Sequence, residues 1–346
     1  MTLGGLAARS VAVIREHQAE SGAYLAAPFP APYRNAWLRD GAFVADAMSA
    51  TGERASAEAF FSWCSGVVEA RAERMAAAEI LDGRFTVEGR EVPGPWSAAQ
   101  LDGYGAWVWA LGRHVRRHGA DPGPWLPAAE ISLRYVAACW SLPCFDWWEE
   151  RRGVHVATLA AIYGGLASGV VSEAGLGEAA ESIRAAVLRD GVADGRLVAR
   201  LGEGGLDASL IAVATPFGLL EPDDPLVDAT VRAVESELMD DHGVHRYLGD
   251  EFYGGGLWLL LAGLVGCHFA HCGRPDDARA ELEWIAAAAT PEGDLPEQVE
   301  SHLLCPEKRD EWAGRWGPPA CPLLWSHALF LTLAFELGAL RMENAA

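Results

Sequence analysis

The sequence predicts an all-α protein, a closed (α/α)6 barrel of twelve helices, and three observations carry that prediction. Apolar residues recur at helical spacing along nearly the whole chain of 346 residues. Runs with the two-residue alternation of strands are rare and short. Polar clusters flanked by aromatic residues fall at the start of every second helix.

Apolar period, caps and breakers place helices at 3–20, 37–51, 54–78, 99–118, 126–141, 155–172, 176–189, 206–213, 225–238, 254–272, 275–289 and 323–342. In the tenth, Leu257, Leu260, Leu261, Leu264 and Val265 recur at helical spacing, and the stretch is apolar nearly all round, as an inner helix should be. The clusters are anchored by Asp40, Asp102, Glu149, Asp207, Asp250 and Glu297, at intervals of 62, 47, 58, 43 and 47 residues. Each precedes or opens an even-numbered helix. Six helical hairpins follow, with alternate helices forming an inner ring whose N-terminal ends share one face. Closing the ring brings the first and sixth clusters together, whereas an open solenoid would keep them apart.

No linker rich in Ser, Gly or Pro divides the chain, so 1–346 reads as a single domain. The longest irregular piece is 290–322, with six prolines. A loop of that length in a compact domain is usually functional or disordered. The piece 79–98 is similar, with Arg84–Val87 as a short strand.

Composition narrows the partners. With 51% hydrophobic residues the chain is globular, and no apolar run reaches the length of a membrane span. A formal net charge of -21, from 27 Lys+Arg against 48 Asp+Glu, leaves no basic face for nucleic acid. No secretory signal opens the chain, which suggests a cytoplasmic protein whose seven cysteines are reduced. The run Cys267-His268-Phe269-Ala270-His271-Cys272 lies in an apolar helical stretch, where core packing and a helix end explain it better than a metal. Nothing calls for a cofactor, and oligomeric state is not fixed by composition. The 14 tryptophans suit either a large core or stacking on the C–H faces of sugars.

Two acidic positions suit glycosidic-bond chemistry, which needs one protonated and one ionised carboxyl, roughly 6.5–9.5 Å apart when the product is inverted. In Trp147-Trp148-Glu149-Glu150, indole walls and a neighbouring carboxylate both raise a pKa, as an acid requires. A solvated turn balanced by Arg151 and Arg152 fits those residues equally well. Glu297, in Asp294-Leu295-Pro296-Glu297-Gln298-Val299, is the candidate base, or else a plain loop acid. Asp40 and Asp102 open helices, where Asp is a common cap. Arg39 with Asp40, and Arg246 with Asp250, are either structural pairs or grips on sugar hydroxyls. Trp37 and Trp96 are either sugar platforms or core.

Five blocks in order resemble glycoside hydrolase family 15, the glucoamylase family. Tyr33-Arg34-Asn35-Ala36-Trp37-Leu38-Arg39-Asp40-Gly41 is similar to its Trp-x-Arg-Asp segment. Trp96 with Asp102-Gly103 follows its second block. Phe145-Asp146-Trp147-Trp148-Glu149-Glu150 resembles its Asp-x-Trp-Glu-Glu block. Arg246 to Trp258 resembles its Arg-Tyr-x-x-Asp block, and Leu295-Pro296-Glu297-Gln298 with Pro322 to Ala328 its last. The matches run from 33 to 330. The resemblance implies an (α/α)6 barrel with its site at the N-terminal ends of the inner helices. It makes Glu149 the general acid and Glu297 the general base. It has Arg39, Asp40, Arg246 and Asp250 grip the non-reducing-end glucose, Trp37, Trp96 and Trp148 line the pocket, and Glu150 reach the next sugar. Asp102 and Trp325 complete the implied binding set.

Two departures bear on substrate. The first helix begins almost at residue 1, so neither the β-sandwich domain of bacterial relatives nor a starch-binding domain is expected. Three consecutive glycines, Gly254 to Gly256, interrupt the fourth block. A pared-down barrel suits isomaltose and small α-1,6-linked oligosaccharides, releasing β-glucose. Two rivals stay open: an α,α-trehalase of the same family, and a non-hydrolytic sugar-binding protein on the same barrel.

Overall fold

The computed structural model describes residues 1–340 apart from 93, 95, 97 and 98. Its α-helices are α1 (Leu3–Glu16), α2 (Leu38–Ala50), α3 (Arg54–Glu69), α4 (Ala72–Ala76), α5 (Asp102–His118), α6 (Leu126–Cys139), α7 (Val156–Leu166), α8 (Ala174–Asp190), α9 (Pro225–Glu237), α10 (Leu259–His271), α11 (Pro275–Ala287), α12 (Pro306–Trp316) and α13 (Leu324–Glu336). A 3-10 helix, Ala208–Val213, lies between α8 and α9.

The inner ring closes. α2 packs on α5, α5 on α7, α7 on the 3-10 helix, that helix on α10, α10 on α13, and α13 back on α2. Each has an outer partner: α3 on α2, α6 on α5, α8 on α7, α9 on the 3-10 helix, α11 on α10 and α1 on α13. The ring members are the even-numbered elements of the sequence pattern. Their sequences explain the placement, since α10 is buried continuously from Leu259 to Phe269 while α8 buries only Leu176, Ala180, Ile183, Ala186 and Val187. Inner helices also approach closely through glycine. A Cβ on Gly105 of α5 would lie 2.5 Å from the Ala161 carbonyl oxygen, and one on Gly165 of α7 would lie 2.5 Å from that of Gly105.

Several boundaries differ from the sequence reading. The region 54–78 divides into α3 and α4. Residues 208–213 form a 3-10 rather than an α-helix; it is short, as 3-10 segments usually are. The stretch 254–272 becomes helical only at Leu259, because Tyr253, Gly254 and Gly255 have φ of 51°, 84° and 69°, which no α-helix accommodates. Within the supposedly irregular 290–322, α12 forms with Pro306 at its first position, where a missing N–H is harmless.

Short strands gather where the inner helices begin. Ala36–Trp37 leads into α2 and pairs with Arg84–Phe85, the strand expected in 79–98. Cys144–Phe145 pairs with Arg152–Gly153 and clamps the intervening loop. Leu257–Trp258 leads into α10 and joins Gln298–Val299 to Gly243–Val244 and Met239–Asp240. These pairings fix the loops that carry the site. No described helix is long and apolar enough to cross a membrane.

Candidate active site

A cavity of about 310 Å³ opens at the start of the inner helices. It is bordered by Trp37, Arg39, Asp40, Trp96, Trp148, Glu149, Glu150, Arg246, Glu297 and Trp325. Ten of the twelve residues expected at the site are therefore brought together. The other two, Asp102 and Asp250, are buried behind the cavity wall and bind its arginines.

Glu149 sits in the loop between the paired strands Cys144–Phe145 and Arg152–Gly153. Asp146 shapes that loop, since its Oδ1 accepts from the amides of Glu150 (2.8 Å) and Arg151 (3.3 Å). Glu149 itself has φ of 61°, a left-handed conformation uncommon for a side chain with a Cβ. Its Oε1 accepts from the Trp37 indole N–H, while Oε2 is buried with no partner among the described residues. Burial pushes its pKa up to about 7, against the opposing pull of Arg39 and the Trp37 donor.

Glu297 is held by its backbone. Its N–H donates to the Ala320 carbonyl (2.8 Å), its carbonyl accepts from Leu259 N–H (3.3 Å), and the next two residues pair with Leu257–Trp258. The Tyr33 hydroxyl donates to Oε1 at 2.6 Å, and Oε2 is buried without a partner among the described residues. Burial again raises the pKa to about 7; the Tyr33 hydrogen bond and the Arg246 charge oppose it.

Two arginines flank the pair. Arg39 donates to Asp102 Oδ2 at 2.9 Å, lies 3.3 Å from Asp40 Oδ1 through Nε, and stacks near the rings of Trp325 and Trp147. Burial lifts the Asp40 carboxyl to about 6, and Arg39 offsets part of that. Neither aspartate caps its helix from outside: both stand in the first turn, Asp102 at the opening of α5 and Asp40 in α2. Arg246 makes a fork to Asp250, with Nε to Oδ2 at 2.7 Å and Nη2 to Oδ1 at 2.6 Å, and Nη2 also reaches Glu150 Oε1 at 2.8 Å. Tyr247 donates to the other oxygen of Glu150. The Trp148 indole donates to Asp207 Oδ2 (2.8 Å), and Asp207 caps the 3-10 helix through Ser209 N–H.

Six further aromatic residues border the cavity: Tyr33, Trp147, Phe252 and Trp258, and, from the long segment before α13 that the sequence suggests folds over the entrance, Trp312 and Trp316. Tyr33, Trp147, Phe252 and Trp258 lie inside matched blocks, whereas Trp312 and Trp316 lie outside them. Five buried polar atoms of residues lining this cavity have no partner among the described residues: Glu149 Oε2, Glu297 Oε2 and the indole nitrogens of Trp147, Trp258 and Trp325. Unpaired buried polar groups are costly and ordinarily few. Five around one cavity suit a surface completed by a polar ligand. The motif around Cys267 lies elsewhere, with Cys272 Sγ 3.3 Å from His268 Nε2, and no group of three or more metal-ligating side chains occurs among the described residues.

Two desolvated carboxyls, both lining an aromatic, hydrogen-bonding pocket and each with one buried oxygen lacking a partner among the described residues, suit cleavage of a glycosidic bond, the chemistry of a glycoside hydrolase on a helical barrel. Comparison with known proteins gives the family. The model of Glycosyl hydrolases family 15 matches residues 5–262, and the chain belongs to that family. It is 45% identical to isomaltose glucohydrolase from Kribbella flavida over 97% of this chain and 93% of that protein. A solved structure of a glycosidase variant in complex with glucose is 44% identical, with a TM-score of 0.94 and 98% of each chain covered. A trehalase from Mycolicibacterium smegmatis is 30% identical over 63% of this chain and 37% of its own length.

Proposed function

We propose that the protein is an inverting, exo-acting α-glucosidase that releases β-glucose from the non-reducing end of isomaltose and small α-1,6-linked oligosaccharides. One observation carries the reading: Glu149 and Glu297 line the same cavity, and each keeps a buried carboxyl oxygen without a partner among the described residues, beside indole N–H groups suited to sugar hydroxyls. The near full-length likeness to an isomaltose glucohydrolase supports the substrate, as does a cavity near the lower end of the roughly 300–1,000 Å³ usual for small-molecule sites.

In this reading Glu149, in its protonated form, gives its proton to the leaving oxygen. Glu297 takes a proton from the attacking water. The bond from the anomeric carbon to the leaving oxygen breaks as the bond to water oxygen forms on the opposite face. Arg39 with Asp40, and Arg246, hold hydroxyls of the glucose, and Glu150 reaches the neighbouring sugar. Asp102 and Asp250 act one step back by fixing the arginines. Trp37, Trp96, Trp148 and Trp325 supply apolar faces and, at Trp325, an N–H donor. The whole chain serves as one catalytic unit, and its seven free cysteines fit a reducing, cytoplasmic setting.

The test is a panel of isomaltose, maltose and trehalose, with the first-formed glucose anomer followed by NMR. Fastest release from isomaltose, with β-glucose appearing first, is expected. Fastest release from trehalose would assign the trehalase activity instead, and initial α-glucose would overturn inversion. Glu149→Gln and Glu297→Gln should each cut turnover by at least about 10³-fold, as loss of a catalytic proton carrier does. Undiminished turnover would remove that residue from the mechanism.

A further inference from the structure

An arc of aromatic side chains borders the cavity, each in contact with the next. Trp37 lies 6.2 Å from Trp96 between ring centroids, Trp96 lies 5.2 Å from Trp316, and Trp316 lies 5.2 Å from Trp312. Trp312 touches Phe252 at 4.9 Å, Phe252 touches Trp258 at 6.1 Å, and Trp258 touches Trp148 at 5.5 Å. Most of these rings stand at inner-helix starts or on the strands beside them. Trp312 and Trp316 instead come from α12, which lies outside the double ring and has no fully buried residue. α12 joins the arc where Trp316 stacks on Trp96, near parallel at 25°.

α12 is fastened to the fourth cluster. Cys305 N–H donates to the Gly254 carbonyl (2.9 Å) and Leu304 N–H to that of Gly255 (3.3 Å). Lys308 pairs with Glu251 at 3.2 Å, and Arg309 pairs with Glu300. The glycines let this happen: a Cβ on Gly254 would come 3.1 Å from the Cys305 carbonyl oxygen. After Trp316 the chain turns away at Gly317, whose φ is 90°. So the glycine run and the long proline-bearing segment serve one construction, a single layer of tryptophan laid across the cavity rim.

We infer that the Trp316–Trp96 stack is the far wall of the leaving-sugar site and sets the length of substrate, admitting a disaccharide and turning away longer chains. The inference rests on the glucosidase reading above. A carbohydrate entering with its non-reducing glucose against Glu149 and Glu297 must run its remaining units past this rim, where the stacked indoles would stand against a third unit.

The experiment compares kcat/KM for trisaccharide and disaccharide in the α-1,6 and α-1,4 series, for the wild-type protein and for Trp316→Ala. The ratio should rise about tenfold or more in whichever series is hydrolysed, the scale of discrimination that one apolar wall contact supplies. Trp316→Phe, which keeps a ring on Trp96, should restore most of the wild-type ratio. An unchanged ratio in a Trp316→Ala protein with a normal melting transition would overturn the wall. Should that variant melt early, Trp316→Leu opens the same slot while keeping apolar contact, and the same ratio decides. If the wild-type protein hydrolyses none of the four sugars, the glucosidase reading falls. The wall is then judged by calorimetric affinities for the same sugars, where Trp316→Ala must again favour the trisaccharides.

Discussion

At the scale of single residues, the hydroxyl of Tyr33 has the clearest consequence. It donates to Glu297 Oε1 at 2.6 Å, and that bond works against burial to keep the carboxyl ionisable. Tyr33→Phe keeps the ring against Trp37 and Trp96 but removes the donor. A hydrogen bond to a charged group contributes about 1.5–3 kcal/mol, so kcat should fall roughly ten- to a hundredfold. With a stabiliser of the ionised form gone, the pKa of Glu297 rises further and the acid limb of kcat/KM moves to higher pH. A pH profile superimposable on the wild type would show that Tyr33 does not govern this carboxyl. The sequence let the acidic pair be named but not this partner. Glu149 and Glu297 were legible because each precedes an inner helix in a regular series and falls in a block that resembles the family's, although Glu297 lies well ahead of α13, with α12 between them. The tie from Tyr33 to Glu297 spans 264 positions and has no local pattern. The same holds for Asp102 and Asp250: their blocks were readable, but that their carboxylates face arginines rather than the cavity is decided by packing.

At the scale of elements, the inner helices show how small residues govern the site. Gly105 and Gly165 let α5 and α7 meet backbone to backbone, and α5 carries Asp102, which holds Arg39 of α2. Gly165→Ala would place a methyl 2.5 Å from the Gly105 carbonyl oxygen, a backbone atom that cannot rotate aside. The helices must part, at a cost of about 1–3 kcal/mol for an overpacked contact. Chemical denaturation of the variant measures this, and a midpoint equal to wild type would mean that α5 and α7 are less tightly set than their geometry implies. Elements were unevenly legible for a related reason. α10 has a continuous apolar sequence that no loop would have. α12 has only Trp312 and Trp316, one pair at i and i+4, in an otherwise charged run bounded by prolines, so its apolar periodicity was too brief to register. The 3-10 helix was read as helical from its apolar run, but its tighter winding was not written in that run.

At the scale of the whole molecule, the closed ring explains why two acids so far apart in sequence share a cavity, and it also concentrates a destabilising load there. Closure was legible because six clusters recur at similar intervals and one end of a double ring is the place where they could all meet. What closure does to the acids follows from linkage. Glu297 has its pKa raised by burial from the ordinary 4.5 to about 7. Below pH 4.5 it is protonated in both folded and unfolded chains and contributes nothing. Between 4.5 and about 7 the folded protein binds more protons than the unfolded chain, so stability falls as pH rises. Above about 7 the loss is complete, on the order of 3 kcal/mol for a group this deeply buried. Glu297→Gln keeps an acceptor for the Tyr33 hydroxyl and cannot ionise. The variant should therefore melt above the wild-type protein at pH 8, with the difference shrinking through neutrality and vanishing near pH 4.5, while hydrolysis is lost. This is the stability–activity trade-off expected where a site needs a charge in a dry place. Paired melting curves at pH 4.5, 6 and 8 measure it. A Gln variant that melts below the wild type at pH 8, or a difference that does not change with pH, would mean that solvent reaches Glu297 and that burial is not what tunes the candidate base.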